Sequence, residues 1–116
     1  MNFYSPYAHG FLRVAVCVPE VRLAQPTWNA ERILLLARQA AAHGTGVVLF
    51  PELGLSGYSN EDLFQQKALL AAVERALKTV VEGSRDLAAL LLVGAPLSFD
   101  DRLFNCAVVI QQGRIL

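Results

Sequence analysis

The run Val47-Val48-Leu49-Phe50, closed by Pro51, constrains this chain more than any other feature. Four apolar residues are too few for a helix, and the proline ring removes the donor that a fifth ladder position would use. The segment before it has a different period. Ile33, Leu36, Ala37, Ala40 and Ala41 recur at helical spacing, with Asn29 placed as an N-cap and His43-Gly44 as the stop. Earlier still, Phe11 to Val18 alternates: Leu12, Val14, Val16 and Val18 on one face, Arg13, Ala15 and Cys17 on the other, with Pro19 ending it. A loop with Pro26 joins the two. A strand, a helix and a continuously apolar strand make a βαβ unit, which predicts a parallel pair buried under its crossover helix.

The alternation continues. Ser59 or Asn60 is placed to cap a second helix, with Glu61 and Asp62 suited to its positive end. That helix carries Leu63, Leu69, Leu70, Val73, Leu77, Val80 and Val81 and stops near Gly83. Leu87 to Val93 reads as a third strand buried on both faces. Leu103 to Gln111 reads as a fourth, with Cys106, Val108 and Ile110 alternating against Asn105, Ala107 and Val109. Asp100-Asp101 reads as a solvated turn, and Gln112-Gly113 as a hairpin turn into Arg114. The predicted order is β-α-β-α-β-β: an α/β layered sheet with helices on at least one face. The 116 residues suffice for one domain. A strand starting at Arg114 has only three residues, so the chain is expected to be a piece of a longer domain.

Composition removes several classes of function. Ten basic residues balance ten acidic ones, whereas nucleic acid and anionic membranes select a basic surface. Apolar residues make up 54% and charged residues 17%, the reverse of a disordered chain. The longest apolar stretch, Leu87 to Leu97, contains Gly94 and Pro96 and falls short of the ~18–20 residues of a membrane span. The opening residues lack a basic segment followed by an apolar one, so no signal peptide is expected. Cys17 and Cys106 cannot make a disulfide framework, and no Cys/His spacing suggests a metal site. These features predict a cytoplasmic protein.

The chemistry concentrates in Leu49-Phe50-Pro51-Glu52-Leu53-Gly54-Leu55-Ser56-Gly57-Tyr58. Glu52 follows a buried strand by two residues, and open α/β sheets bind ligands beyond the carboxyl ends of their strands. Pro51 limits where Glu52 can point. Gly54 and Gly57 let the backbone turn and approach a small substrate. A carboxylate in such a partly dry place suits general base work near neutral pH; a Glu that simply stays in water is the bland alternative.

This segment resembles the first catalytic motif of the nitrilase, or carbon–nitrogen hydrolase, superfamily, whose members use a Glu, a Lys and a Cys in that chain order. The opening, with Asn2-Phe3-Tyr4-Ser5 and His9-Gly10-Phe11-Leu12-Arg13-Val14-Ala15, is more selective. With Val93-Gly94-Ala95-Pro96-Leu97 and the stretch Leu103 to Leu116, it resembles the glutaminase domains of the bacterial glutamine-dependent NAD⁺ synthetase family. The resemblance implies part of an α-β-β-α sandwich, with residues 1–116 the amino-terminal part of the glutaminase domain. It implies Glu52 as general base and Tyr58 as a wall of the glutamine pocket. It also implies a C-terminal synthetase domain using ATP and Mg²⁺, and a homo-oligomer. The family Lys and Cys fall beyond residue 116, so this chain alone is expected to be inert. Another amidase of the superfamily, or a catalytically empty α/β assembly module, are the rival readings.

Other residues invite chemistry but fit packing better. Cys17 and Cys106 lie mid-strand among Val, Ala and Ile, where a thiol acts as a small hydrophobe. Lys67 and Lys78, the two lysines, sit at ordinary solvated helix positions; Lys67 is the one candidate for an oxyanion role here. His9 and His43 have no metal-ligand partner at usable spacing. Phe3, Tyr4, Tyr7 and Phe11 form an aromatic cluster expected to serve an inter-domain or inter-subunit contact.

Overall fold

In the computed structural model, which describes residues 2–60 and 66–116, a 3-10 turn at Pro6–His9 precedes seven elements. They are β1 (Val14–Val16), α1 (Pro26–Ala42), β2 (Val47–Leu49), α2 (Lys67–Gly83), β3 (Leu90–Phe99), β4 (Arg102–Gln111) and β5 (Arg114–Ile115). The strands form one mixed sheet in the order β1-β2-β3-β4-β5. β1, β2 and β3 are parallel, in register Val14↔Val47 and Val47↔Leu90, while β4 and β5 return antiparallel. The α/β class and the order β-α-β-α-β-β are therefore as the alternation of periods predicts, and the expected turn at Gln112-Gly113 adds the short fifth strand, β5.

Both crossovers step the same way across the sheet, and such crossovers are right-handed. Hence α1 and α2 lie side by side on one face. Val48, Leu91, Val93, Ala95, Val108 and Ile110 point up from the sheet into Ile33, Leu34, Ala37, Val73, Leu77 and Val80 from the helices. Burying each such Val, Leu or Ile stabilises the fold by about 1.5–3 kcal/mol. The helices touch where Gly83 has no side chain: a Cβ there would lie 2.7 Å from Leu34 Cδ1.

Among the described residues, none of the helices covers the opposite face, which is left bare. The register puts Val14, Val16, Val47, Leu49, Leu90, Leu92 and Val109 on it. Val14, Val16 and Leu49 are 63%, 73% and 45% exposed. The alternation in β1 is as expected, but it is the smaller side chains Ala15 and Cys17 that face the helices.

Several boundaries differ from the sequence reading. β1 is three residues long rather than eight, because the neighbour it pairs with is itself three residues long. β3 begins at Leu90 and runs past Val93 to Phe99. Pro96 is tolerated in it because β2 stops pairing at Leu92, so no ladder on that side needs a donor at position 96. Helix α1 starts at Pro26, whose fixed φ suits a first helical position, and Asn29 lies inside it rather than capping it. Gln66 is extended (φ −80°, ψ 125°), so α2 begins at Lys67 and not after Ser59 or Asn60. The expected first-turn residues Glu61, Asp62 and Leu63 lie outside the described residues.

Both turns follow the sequence. Asp100 and Asp101 have φ of 55° and 58°, and Gln112 and Gly113 have 46° and 81°. Positive φ at both central residues is what a type I′ hairpin needs. Gly44, with φ 75°, closes α1 as expected. Tyr7 is tied to its own chain through its hydroxyl, which donates to Gly44 O (2.6 Å); Phe3, Tyr4 and Phe11 remain exposed. Among the described residues, no helix is long and apolar enough to cross a membrane.

Candidate active site

The chain leaves β2 without leaving the sheet. Phe50 N donates to Leu92 O (3.0 Å) and Leu55 N to Gly94 O (3.1 Å), so residues 50–55 run along β3 beyond the end of β2. This close passage requires Gly94. A Cβ there would lie 2.6 Å from Pro51 O, 2.9 Å from the Glu52 carbonyl carbon and closer still to Leu53 N. These are backbone atoms with no room to yield.

The rest of the loop is stapled from the helix side. Leu53 takes a positive φ (53°), and its carbonyl accepts from Ser56 N (3.2 Å) and Gly57 N (2.9 Å). Gly57, at φ 87°, has both the conformation and the close neighbour Leu23 that exclude a side chain. Gly54 does not take a positive φ; the strained position expected of the glycines belongs to Leu53 instead. Asn60 Nδ2 donates to Ser56 O (2.7 Å) and Gly57 O (2.6 Å). Asn29, 1% exposed, accepts from Arg22 N (2.8 Å) and donates to Arg22 O (2.8 Å) and Leu55 O (2.9 Å). An asparagine that reads as a helix cap is thus a buried clamp between two loops.

With its backbone held this way, Glu52 sends its side chain to the bare side of the sheet. Asn105 Nδ2 of β4 donates to Glu52 Oε1. The two residues border an open cleft of about 330 Å³ whose floor includes Leu49, Leu92, Gly94 and Ala107. Glu52 is exposed. The partly dry setting expected for it is not supplied by the described residues, which leave the sheet face on which it sits open. The cleft offers a base and an amide on an apolar floor, an arrangement able to accept a proton from a group laid over the face.

The other sequence candidates lie elsewhere. Tyr58 is 69% exposed and does not border the cleft. Lys67 and Lys78 are exposed on α2, which covers the opposite face, so neither meets Glu52. Cys17 packs against the core, and burial pushes its thiol above the usual range. Cys106 also packs against the core, at the cleft margin. His43 Nδ1 pairs with Gln39 O and His9 Nε2 with Phe3 O. Asn105 and Gly94 are the site residues that sequence reasoning missed. A polar residue set among Leu103, Ala107 and Val109 on one strand face was the available signal for Asn105.

The fold has close parallels among known proteins, and the class is clear: the chain belongs to the carbon–nitrogen hydrolase family, whose model matches residues 13–116. Among individual relatives, the glutamine-dependent NAD(+) synthetase of Mycobacterium tuberculosis is 49% identical over 116 residues, which is 100% of this chain and 17% of that protein. The chain therefore spans less than a fifth of the length of the curated relatives it matches. Among solved structures, the glutamine-dependent NAD(+) synthetase from Cytophaga hutchinsonii superposes with a TM-score of 0.83 at 18% identity, over 90% of this chain and 18% of that one. A mutant of the Nesterenkonia AN1 amidase, from the nitrilase superfamily, gives 0.79 at 23% identity, over 90% and 40%.

Proposed function

We propose that the chain is the amino-terminal part of the glutaminase domain of a glutamine-dependent NAD⁺ synthetase, with Glu52 as its general base. The observation that carries this is the seating of Glu52 at the carboxyl end of β2, on the sheet face away from the helices. The likeness to the Mycobacterium tuberculosis synthetase along the whole chain supports it.

On this reading the remainder of the domain supplies a cysteine and a lysine over the bare face. Glu52 takes the thiol proton, and the thiolate attacks the carboxamide carbon of glutamine. The lysine offsets the oxyanion charge. As the carbon–nitrogen bond breaks, the Glu52 carboxyl returns its proton to the leaving nitrogen, giving ammonia and a thioester. Water then attacks the thioester carbonyl and yields its proton to Glu52; the thiol leaves reprotonated and glutamate is released. Ammonia passes to a C-terminal synthetase domain, where it displaces adenylate from activated nicotinic acid adenine dinucleotide to give NAD⁺. Tyr58 borders the substrate once the pocket is complete. Among the described residues no three His, Cys, Asp or Glu side chains come together to hold a metal ion. On this reading Mg²⁺ and ATP belong to the synthetase domain. The enzyme works as a cytoplasmic homo-oligomer, and the 116-residue chain alone is inert.

Glu52→Gln in the full-length protein tests this. Glutamate release and glutamine-driven NAD⁺ formation should fall by at least ~100-fold, the scale of a lost general base. NAD⁺ formation from added ammonia should persist. Undiminished glutamine use would remove Glu52 from the mechanism. Amide hydrolysis with no ammonia-driven NAD⁺ formation in the parent protein would favour a stand-alone amidase.

A further inference from the structure

Asn105 has no part in the chemistry above, yet its place in the sheet is specific. It lies opposite Pro96, in a row that runs Val109, Ala107, Asn105 along β4 beside Leu92, Gly94, Pro96 along β3. That row faces away from the helices, toward the cleft, and Asn105 is its one side chain with a hydrogen-bonding group. Asparagine is poorly suited to a strand interior. Its amide reaches a carboxylate 53 residues earlier in the chain, and among the described residues this is the hydrogen bond made by the Glu52 side chain. An ionised carboxylate only accepts, so the atom turned toward it is the amide nitrogen.

We propose that Asn105 is a positioning residue for Glu52: its N–H holds Oε1, fixes the plane of the carboxylate on the bare side of the sheet, and leaves Oε2 to take the proton. The inference rests on the reading of Glu52 as the general base. The backbone of Glu52 is already fixed by Gly94 and by the Leu55–Gly94 hydrogen bond. What remains loose is its side chain, and a base must be held close to one geometry to act. An amide suits this better than a charged partner. Arg or Lys at 105 would form an ion pair that weakens the base; Asp would set a second negative charge against it. The pairing gains weight once the bare face is covered. Both groups then leave water, and a buried polar group without a partner is costly. Among the residues bordering the cleft, Cys106 is the other titratable group, and it packs against the core.

The test uses the full-length enzyme, with Asn105→Ala and the shape-conserving Asn105→Asp beside Glu52→Gln. Glutamine hydrolysis is followed against pH, and ammonia-driven NAD⁺ formation reports on the integrity of the rest. For Asn105→Ala, kcat should fall roughly 10- to 100-fold with little change in KM, as loss of orientation demands. The acid limb of the pH–rate profile should move to higher pH, and further in Asn105→Asp, where a second carboxylate opposes ionisation. A wild-type kcat and profile in Asn105→Asp overturns the proposal, as does a change confined to KM or to melting temperature. If Glu52→Gln abolishes hydrolysis while the Asn105 variants behave as wild type, the positioning role alone falls. If Glu52→Gln stays active, the base assignment falls with it.

Discussion

Gly94 determines where Glu52 can stand by having no side chain. Three backbone atoms of residues 51–53 occupy the space that a Cβ would need. Gly94→Ala should therefore push the loop off β3, costing about 1–3 kcal/mol as an overpacked site. It should also lower glutamine hydrolysis in the full-length enzyme by far more than ammonia-driven synthesis; equal activities in mutant and parent would show that the loop tolerates the shift. The sequence exposes such residues unevenly. Glu52 stood out because a carboxylate directly after a buried strand and a proline is unusual. Gly94 showed only as a glycine in an apolar run, since its role depends on a loop some forty residues earlier in the chain. Asn29 was misread for a related reason: Asn before a helical period is a good cap, and nothing local reveals the two loops that its buried amide joins. Pro26, which fixes φ at the first helical position, was the better start signal.

At the scale of elements, the hairpins were legible because their turn residues carry their own conformational demand. Gly113 sits at φ 81°, and a Cβ there would lie 2.6 Å from Arg85 Cγ. Gly10 sits at a similar φ of 78° with open space around it. Gly10→Ala should cost about 1–2 kcal/mol for the left-handed backbone alone, and Gly113→Ala more, because Arg85 must move as well. Melting temperatures of the two variants give the difference; equal losses would mean that Arg85 yields without cost. Strand ends were less legible. A strand extends only as far as its partner pairs with it, so β1 is cut short by the brevity of β2 and β3 is prolonged by β4. No local pattern in either strand contains that information. The start of α2 was missed because nothing local to Ser59 or Asn60, which have the right side chains for a cap, reveals that the backbone is still extended at Gln66.

At the scale of the whole molecule, the layers do not close. The accessible surface is 7278 Å², against about 6,200 Å² for a compact chain of this size. The radius of gyration is 15.1 Å, against about 13 Å. Both excesses fit an elongated plate of 52 × 27 × 19 Å, one apolar side of which the described residues leave uncovered. A chain of these residues alone should self-associate through that side, since patches this large do not stay in water. Sedimentation should show oligomers that Val14→Lys with Val16→Lys disperses; a monomer at high concentration would mean that the face is hidden some other way. The apolar runs of β2 and β3 read as strands buried on both faces, whereas Leu49 on the open face is exposed and Leu90 and Leu92 only half-buried; which face the helices cover follows from the shared handedness of two crossovers, which no single strand reveals.

The strand order also bears on how such a sheet is made. Spatial order equals chain order from β1 to β5, so a ribosome delivers each strand just when the edge it joins is available. No strand has to slip between two that are already paired, and every crossover or turn spans only neighbours. Assembly can thus keep pace with synthesis, and the pairing of Glu52 with Asn105 needs no strand beyond the fourth.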